Sequence, residues 1–207
     1  AGDRGEQLMA SVAGSYTYTP VAHIQAGERS GNIDGLARHA IGKFSHIHFA
    51  ANDDAKNRLI QLGEAEDSIF TIGSPDIQVM TSVKLPTIKD VVKHYDIPFE
   101  DFGVFIFHPI TTELETLDDQ ITQIVSALID SEKNYIIIYP NNDLGTEIIL
   151  KRINELNGNR KFSIFPSVRF HSFLTILKNA EFIIGNSSAA VREAEVFGTP
   201  SINIGTR

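Results

Sequence analysis

Short apolar runs alternate with amphipathic stretches along the second half of the chain. Residues 104–107 and 135–139 are continuously apolar, which is typical of strands whose two faces are both covered by helices. The predicted strands are 103–107, 135–139, 162–165, 182–184 and 201–204, and the predicted helices between them are 117–131, 146–156, 170–179 and 189–197. Alternation of strand and helix predicts a parallel, doubly wound sheet.

The first half shows the same alternation with weaker strands. Its predicted strands are 18–25, 44–51 and 68–72, and its predicted helices are 6–14, 34–41, 53–62, 76–83 and 86–95. Pro98 then marks a boundary. We therefore predict an α/β protein with two Rossmann-like domains, residues 1–98 and residues 99–207, the first of them cut short.

The charge and the amino-acid composition of the chain argue against several classes of binding partner. The chain has 207 residues, a formal net charge of −8 and a pI near 5.3, which argues against nucleic acid or an anionic membrane as a general partner. The absence of cysteine excludes disulfides and thiolate metal sites and favours a reducing, cytoplasmic location. No signal peptide and no apolar run long enough for a membrane helix is present in the sequence.

Polar residues follow the predicted strands, where parallel sheets bind their ligands. They are the turn at 3–4 and the segments 23–28, 108–109, 141–143 and 185–188. We expect a cleft between two lobes, in which one lobe presents acids and the other binds phosphate.

The segment 185–200 is the strongest candidate for the phosphate site. A Gly-Asn-Ser-Ser turn leads from a strand into a predicted helix that ends at Gly198. Backbone N–H groups, two hydroxyls and the helix dipole then meet at one point, which suits a phosphate or pyrophosphate. The alternative is a serine N-cap without a ligand.

The segment 23–48 is dense in ionisable side chains. It contains four of the seven histidines, the carboxylates Glu28 and Asp34, and three cationic side chains. The spacing matches no recurring metal motif, so we predict acid–base work on a sugar or phosphate ester and no metal. We interpret His46 and His48 as structural. His108, at a strand end, can donate to a phosphate oxygen, although an ordinary loop histidine is the alternative.

These segments resemble the hydrolysing UDP-N-acetylglucosamine 2-epimerases. The likeness extends from residue 2 to residue 207 and lies in Gly2-Asp-Arg4, His23-Ile-x-x-Gly-Glu28-x-Ser-Gly-x-Ile-Asp34, Arg38-His39-Ala-Ile-x-Lys43, His108-Pro-Ile-Thr-Thr112, Pro140-Asn141-x-Asp143 and Gly185-Asn-Ser-Ser188 with the residues that follow to Arg207. The resemblance implies a GT-B-like fold with a nucleotide sugar between two Rossmann-like lobes. It also implies elimination of UDP through a 2-acetamidoglucal, addition of water to give N-acetylmannosamine for sialic-acid synthesis, no cofactor, and a homo-oligomer of two or four copies.

The resemblance also implies roles for single residues. The diphosphate would be held by Arg4, His108, Ser187, Ser188 and Arg207, the ribose by Glu193, and the uracil side by Asn141 and Val168, while His23 would also contribute to substrate binding. The catalytic acids would be Asp3 and Asp34, with Arg38 and His39 nearby.

One position departs from the family pattern. Gln25 stands where the family usually carries a catalytic glutamate, and a neutral amide cannot take the C2 proton. Either Glu28, or Asp3 and Asp34 together, then act, or the substrate is different, for example a UDP-2,4-diacetamido sugar of the legionaminic acid type. A GT-B glycosyltransferase and a non-catalytic nucleotide-sugar binder are further alternatives. Because the family's opening strands precede Gly2 and its closing helices follow Arg207, we expect little turnover from these 207 residues alone.

Overall fold

The computed structural model describes residues 5–29, 33–82 and 84–206, apart from the side chains at positions 33, 34 and 82. The predicted site residues Asp3, Arg4 and Arg207 lie outside this part of the chain, as does the side chain of Asp34. Contacts between residues divide the protein into two compact units, Ala1–Ser82 and Val83–Arg207. None of the described helices is long and apolar enough to cross a membrane.

The first unit is built on a parallel sheet of order β1-β2-β3. Its elements are α1 (Gly5–Tyr16), β1 (Ala22–Ala26), α2 (Ile33–Lys43), β2 (Ile47–Ala50), α3 (Asp53–Gln61), a 3-10 turn (Glu66–Ser68), β3 (Ile69–Thr71) and α4 (Pro75–Ser82). A small buried cluster joins α3 to the three strands. The Asn52 side chain caps α3 by accepting the Ala55 N–H at 2.9 Å.

The second unit has a five-stranded parallel sheet of order β6-β5-β4-β7-β8. Its elements are α5 (Ile88–Tyr95), β4 (Gly103–Ile106), a 3-10 turn (Leu114–Thr116), α6 (Leu117–Asp130), β5 (Tyr135–Ile138), α7 (Thr146–Asn154), β6 (Phe162–Phe165), α8 (Phe170–Asn179), β7 (Phe182–Gly185), a 3-10 turn (Ser188–Ala190), α9 (Glu193–Phe197) and β8 (Ser201–Asn203). The predicted parallel α/β architecture is confirmed in both units.

The central strands β4 and β5 of the second unit are apolar because both of their faces are covered. Val104 and Ile106 belong to one core cluster, whereas Phe105 and Phe107 belong to the other. Successive side chains of a strand point to opposite faces, so each central strand supplies both clusters.

The division between the units falls earlier than predicted, after residue 82 rather than after residue 98. Helix α5 belongs to the second unit because its apolar face joins the core there. Val91 is buried in that core, the Tyr95 ring lies 5.3 Å from the Phe165 ring, and the Thr175 hydroxyl donates to the Pro86 carbonyl at 2.9 Å. Pro98 therefore marks only the connection from α5 to β4.

Two predicted elements differ in extent. The strand predicted at 18–25 begins only at Ala22, because turns after α1 leave Tyr18 with a φ of 57° and a side chain that is 96% exposed. The helix predicted at 189–197 is divided into the 3-10 turn and α9, because the N–H groups of Ala190 and Val191 bond three residues back. The helix dipole at this point is therefore smaller than the prediction assumed.

Candidate functional site

The loops that follow the strands of the second sheet meet at one edge, since all five strands are parallel. The described site residues of this unit lie there, after β4, β5, β6 and β7 respectively: His108, Asn141, Val168, and Ser187 with Ser188. Because β4 lies between β5 and β7, His108 is flanked by the loops that carry Asn141 and the serines.

Gly185 permits the close approach of β7 to β4. Its φ is +141°, and a Cβ atom at this position would lie 1.8 Å from the carbonyl oxygen of Ile106. Any L side chain would therefore collide with the backbone of the neighbouring strand. The predicted turn depends on this glycine.

The side chain of Asn186 joins the loops after β4 and β7. It accepts the His108 N–H at 2.7 Å and donates to the His108 carbonyl at 2.8 Å. The residue is only 4% exposed, so both bonds are shielded from water. Sequence reasoning treated Asn186 as part of a turn and missed this role.

The ring of His108 is held by the loop after β5. Its Nδ1 accepts the backbone N–H of Asn141 at 3.0 Å. An Nδ1 that accepts a hydrogen bond leaves the ring proton on Nε2, which is then a donor. This arrangement suits the predicted contact with a phosphate oxygen.

The two serines have different surroundings. The Ser187 Oγ accepts the Ala189 N–H at 3.3 Å, so this residue is the N-cap that the alternative interpretation required. Ser188 begins the 3-10 turn and is exposed, and Glu193, half-buried, begins α9. The turn therefore contains a capping serine beside an exposed serine, and its binding of phosphate stays a prediction.

Glu113 was not predicted from the sequence. Its carboxylate accepts the Thr206 hydroxyl at 2.5 Å and the Gln120 side chain at 3.0 Å. The Thr206 hydrogen bond, followed by that of Gln120, lowers the pKa of Glu113 below its ordinary value of 4.5. The contact joins the loop after β4 to the loop after β8. In the sequence, Thr206 directly precedes Arg207, which is predicted to bind the diphosphate.

In the first unit, the structure brings Glu28 and Arg38 together, a pair that the sequence did not single out. The Arg38 Nη1 lies 3.6 Å from the Glu28 Oε2, and the Arg38 side chain is buried. His39 follows on α2 and is half-buried. His23 is buried within β1, and its substrate-binding role stays a prediction. Asp34 lies in the first turn of α2.

Gln25 occupies a distortion of β1. The register of β1 against β2 shifts between Ile24 and Ala26, and Gln25 has a φ of 59°. Its buried side chain donates from Nε2 to the Asp76 Oδ2 at 2.8 Å. Sequence reasoning singled out Gln25 but not Asp76, which lies 51 residues further along the chain.

His46 and His48, interpreted as structural, both contact other residues of the first unit, although the His48 Nδ1 is buried without a hydrogen-bond partner among the described residues. The His46 Nδ1 accepts the Val21 N–H at 3.2 Å. The His48 Nε2 lies 3.3 Å from the Glu64 Oε2, and the Lys43 Nζ lies 2.6 Å from the Glu64 Oε1. Burial lowers the pKa of His48 below its ordinary value of 6.5, although Glu64 opposes this shift.

The buried imidazole makes the stability of the first unit depend on pH. Because the folded-state pKa of His48 is depressed, the unfolded chain binds more protons below pH 6.5, and stability falls as the pH decreases through that value. We expect His48→Gln to flatten the slope of melting temperature between about pH 5 and pH 7. The exposed neighbour gives a matched control, since His46→Gln should keep the wild-type slope. An unchanged slope in His48→Gln would contradict the assignment.

Within the described ranges, no group of three or more histidine, aspartate or glutamate side chains is placed to hold a metal ion.

The chain is similar over its full length to proteins that are named as 2-epimerases of UDP-linked sugars. The family model described as UDP-N-acetylglucosamine 2-epimerase matches residues 1–207. A UDP-N-acetylglucosamine 2-epimerase of Neisseria meningitidis serogroup B is 47% identical over 206 residues, which cover 100% of this chain and 54% of that protein. A hydrolyzing UDP-N,N'-diacetylbacillosamine 2-epimerase of Legionella pneumophila is 34% identical, with 100% of this chain and 55% of that protein covered.

The fold is shared with solved structures. The crystal structure of a Neisseria meningitidis UDP-GlcNAc 2-epimerase bound to UDP-GlcNAc matches with a TM-score of 0.77 at 20% identity, over 98% of this chain and 57% of that one. The chain thus spans about half the length of the curated relatives it matches.

Proposed function

Because the chain belongs to the UDP-N-acetylglucosamine 2-epimerase family, we propose that the protein is a hydrolysing epimerase that converts UDP-N-acetylglucosamine to N-acetylmannosamine and UDP. The observation that carries this proposal is the network at the edge of the second sheet. There Asn186 and Asn141 hold His108 as a donor beside the Ser187–Ser188 turn.

The UDP part of the substrate binds at this edge of the second sheet. A diphosphate carries negative charge that suits His108, the serine hydroxyls and the backbone N–H groups of the turn. We propose that Arg4 and Arg207 complete the contacts to the diphosphate. Glu193 accepts hydrogen bonds from the ribose hydroxyls, and Asn141 and Val168 lie beside the uracil base. Bound in this way, UDP becomes a better leaving group, because charge that develops on its oxygen is stabilised.

The sugar half requires acid–base groups. A base removes the proton from C2, the C1–O bond to UDP breaks, and the electron pair forms the C1–C2 double bond of 2-acetamidoglucal. Water then adds its oxygen to C1, and a proton returns to C2 on the opposite face, which gives the inverted sugar. Asp3, Asp34 and Glu28 are the carboxylates proposed for these steps, with Arg38 and His39 close to Glu28 and Asp34 in the chain. The neutral amide of Gln25 cannot serve as the base.

A second substrate is supported by one relative. The Legionella pneumophila protein that is 34% identical is named a hydrolyzing epimerase of UDP-N,N'-diacetylbacillosamine, a UDP-2,4-diacetamido sugar. The same elimination and hydration apply to such a sugar, since C1 and C2 carry the same groups. The two substrates are thus alternatives for one site and one chemistry.

Incubation of the full-length protein with UDP-N-acetylglucosamine in D2O tests the proposal. We expect release of UDP together with N-acetylmannosamine that carries deuterium at C2, because the proton that returns to C2 comes from solvent. Turnover of UDP-N,N'-diacetylbacillosamine but not of UDP-N-acetylglucosamine would identify the second sugar nucleotide as the substrate. UDP release only with a sugar acceptor would indicate a glycosyltransferase, and binding without any product would indicate a nucleotide-sugar binder.

Size-exclusion chromatography of the same sample tests the proposed dimer or tetramer.

A further inference from the structure

The backbone at Gln25 is held in an unfavourable conformation. A φ of 59° in a residue other than glycine costs about 1 kcal/mol or more, and such residues persist where the surrounding structure requires them. The bulge also changes the alternation of β1, so that Gln25 and Ala26 are both buried. The Gln25 side chain, on the same face of β1 as the buried His23, is 4% exposed.

The buried amide has a specific partner. Gln25 Nε2 donates to Asp76 Oδ2 at 2.8 Å, and Asp76 lies in the first turn of α4, a few residues beyond the end of β3. Gln25 itself lies one residue before the end of β1. Both residues therefore stand at the carboxyl edge of the same parallel sheet, which is the edge where such sheets bind ligands.

Four other carboxylates of this unit, Glu28, Asp54, Glu64 and Glu66, have cationic partners. Glu28 lies 3.6 Å from the buried guanidinium of Arg38, and Asp54 lies 2.6 Å from Arg58. Among the described residues, Asp76 is instead held by the neutral amide of Gln25, which orients one carboxylate oxygen without cancelling the charge. A carboxylate that is oriented but not neutralised is suited to accept a proton.

We propose that Asp76, oriented by Gln25, is the residue that takes the C2 proton of the sugar, and that Asp3, Asp34 and Glu28 serve the other acid–base steps. This inference rests on the proposed epimerase function. Oδ1, the oxygen that Gln25 does not hold in this hydrogen bond, accepts the proton as the C1–O bond to UDP breaks and the C1–C2 double bond forms. A different acid returns a proton to C2 from the opposite face, because the configuration at C2 is inverted. Gln25 is then a positioning residue, and Asp76 is the catalytic residue.

Asp76→Asn separates a catalytic role from a structural one. The amide oxygen of asparagine can still accept the Gln25 hydrogen bond, but the amide cannot take a proton. We expect C2 deuterium incorporation in D2O to fall by about 100-fold or more, as for loss of a general base, while UDP affinity and melting temperature stay near wild type. Asp67→Asn, on the exposed 3-10 turn before β3, is the matched control and should keep the wild-type rate.

Exchanging the amide and the carboxylate between positions 25 and 76 tests whether the lost activity can be restored. Gln25→Glu combined with Asp76→Asn returns one carboxylate and reverses the direction of the hydrogen bond. We expect this double variant to recover at least about tenfold in rate over Asp76→Asn alone. Gln25→Glu alone places two carboxylates together, and their repulsion should move the acidic limb of the rate profile to higher pH.

The outcomes separate this inference from the proposed function. A wild-type protein that exchanges C2 while Asp76→Asn exchanges equally fast would overturn the role of Asp76 and leave the epimerase in place. Loss of rate, UDP affinity and melting temperature together in Asp76→Asn would also overturn it, by showing a structural role. A wild type that releases no UDP and no deuterated sugar from either nucleotide sugar would refute the proposed function, and the role of Asp76 with it.

Discussion

Gly185→Ala is expected to destabilise the second unit by more than about 3 kcal/mol, a large fraction of the stability of a typical domain. Two costs combine. An alanine at a φ of +141° is strained, and its Cβ would lie 1.8 Å from the Ile106 carbonyl oxygen. The second cost is the larger one, because relief requires β7 to separate from β4 at the point where Gly185 pairs with Ile106. Urea unfolding followed by circular dichroism measures the loss.

Gly158 provides the matched control for this substitution. It also has a positive φ, +87°, but a Cβ atom built there meets nothing within 4 Å. Gly158→Ala should therefore cost only the backbone strain, about 1 kcal/mol. If Gly185→Ala unfolds at the same urea concentration as Gly158→Ala, the close approach of β4 and β7 does not contribute to stability.

The elements were predictable because they follow from local patterns. Continuous apolar runs are typical of strands buried on both faces, and β4 and β5 are such strands. The boundary between the units was not predictable in the same way. Pro98 is a strong local signal, but the packing of α5 against α8 is a tertiary contact, and it places residues 83–98 in the second unit.

The same distinction between local patterns and tertiary contacts applies to the candidate site. The location of His108 and the serines at strand ends follows from chain order and parallel topology. The contacts that hold them do not, because they join residues far apart in the chain: 78 positions separate His108 from Asn186, and 93 separate Glu113 from Thr206. Such pairs depend on the strand order β5-β4-β7-β8, which alternation alone does not determine. The roles proposed for Asp3, Arg4 and Arg207 still rest on the sequence.

Asn186→Asp should weaken both the fold and the binding of UDP. One carboxylate oxygen can still accept the His108 N–H, but the other replaces the amide nitrogen 2.8 Å from the His108 carbonyl oxygen. Two acceptors then face each other in a site that is shielded from water, and a buried group loses its partner. We expect a loss of about 3 kcal/mol in unfolding free energy at pH 7 and about tenfold or more in UDP affinity by calorimetry.

The pH dependence of this variant identifies the cause. Protonation restores a donor toward the His108 carbonyl, so the folded state raises the pKa of the new carboxyl above its unfolded value. The folded protein then binds more protons than the unfolded chain, and the deficit relative to wild type should grow as the pH rises from about 4 to 7. Asn157→Asp, in the exposed turn after α7, should show neither the deficit nor its growth. Unchanged UDP affinity in Asn186→Asp would mean that the orientation of His108 does not depend on Asn186, and the network could then no longer support the proposed diphosphate site.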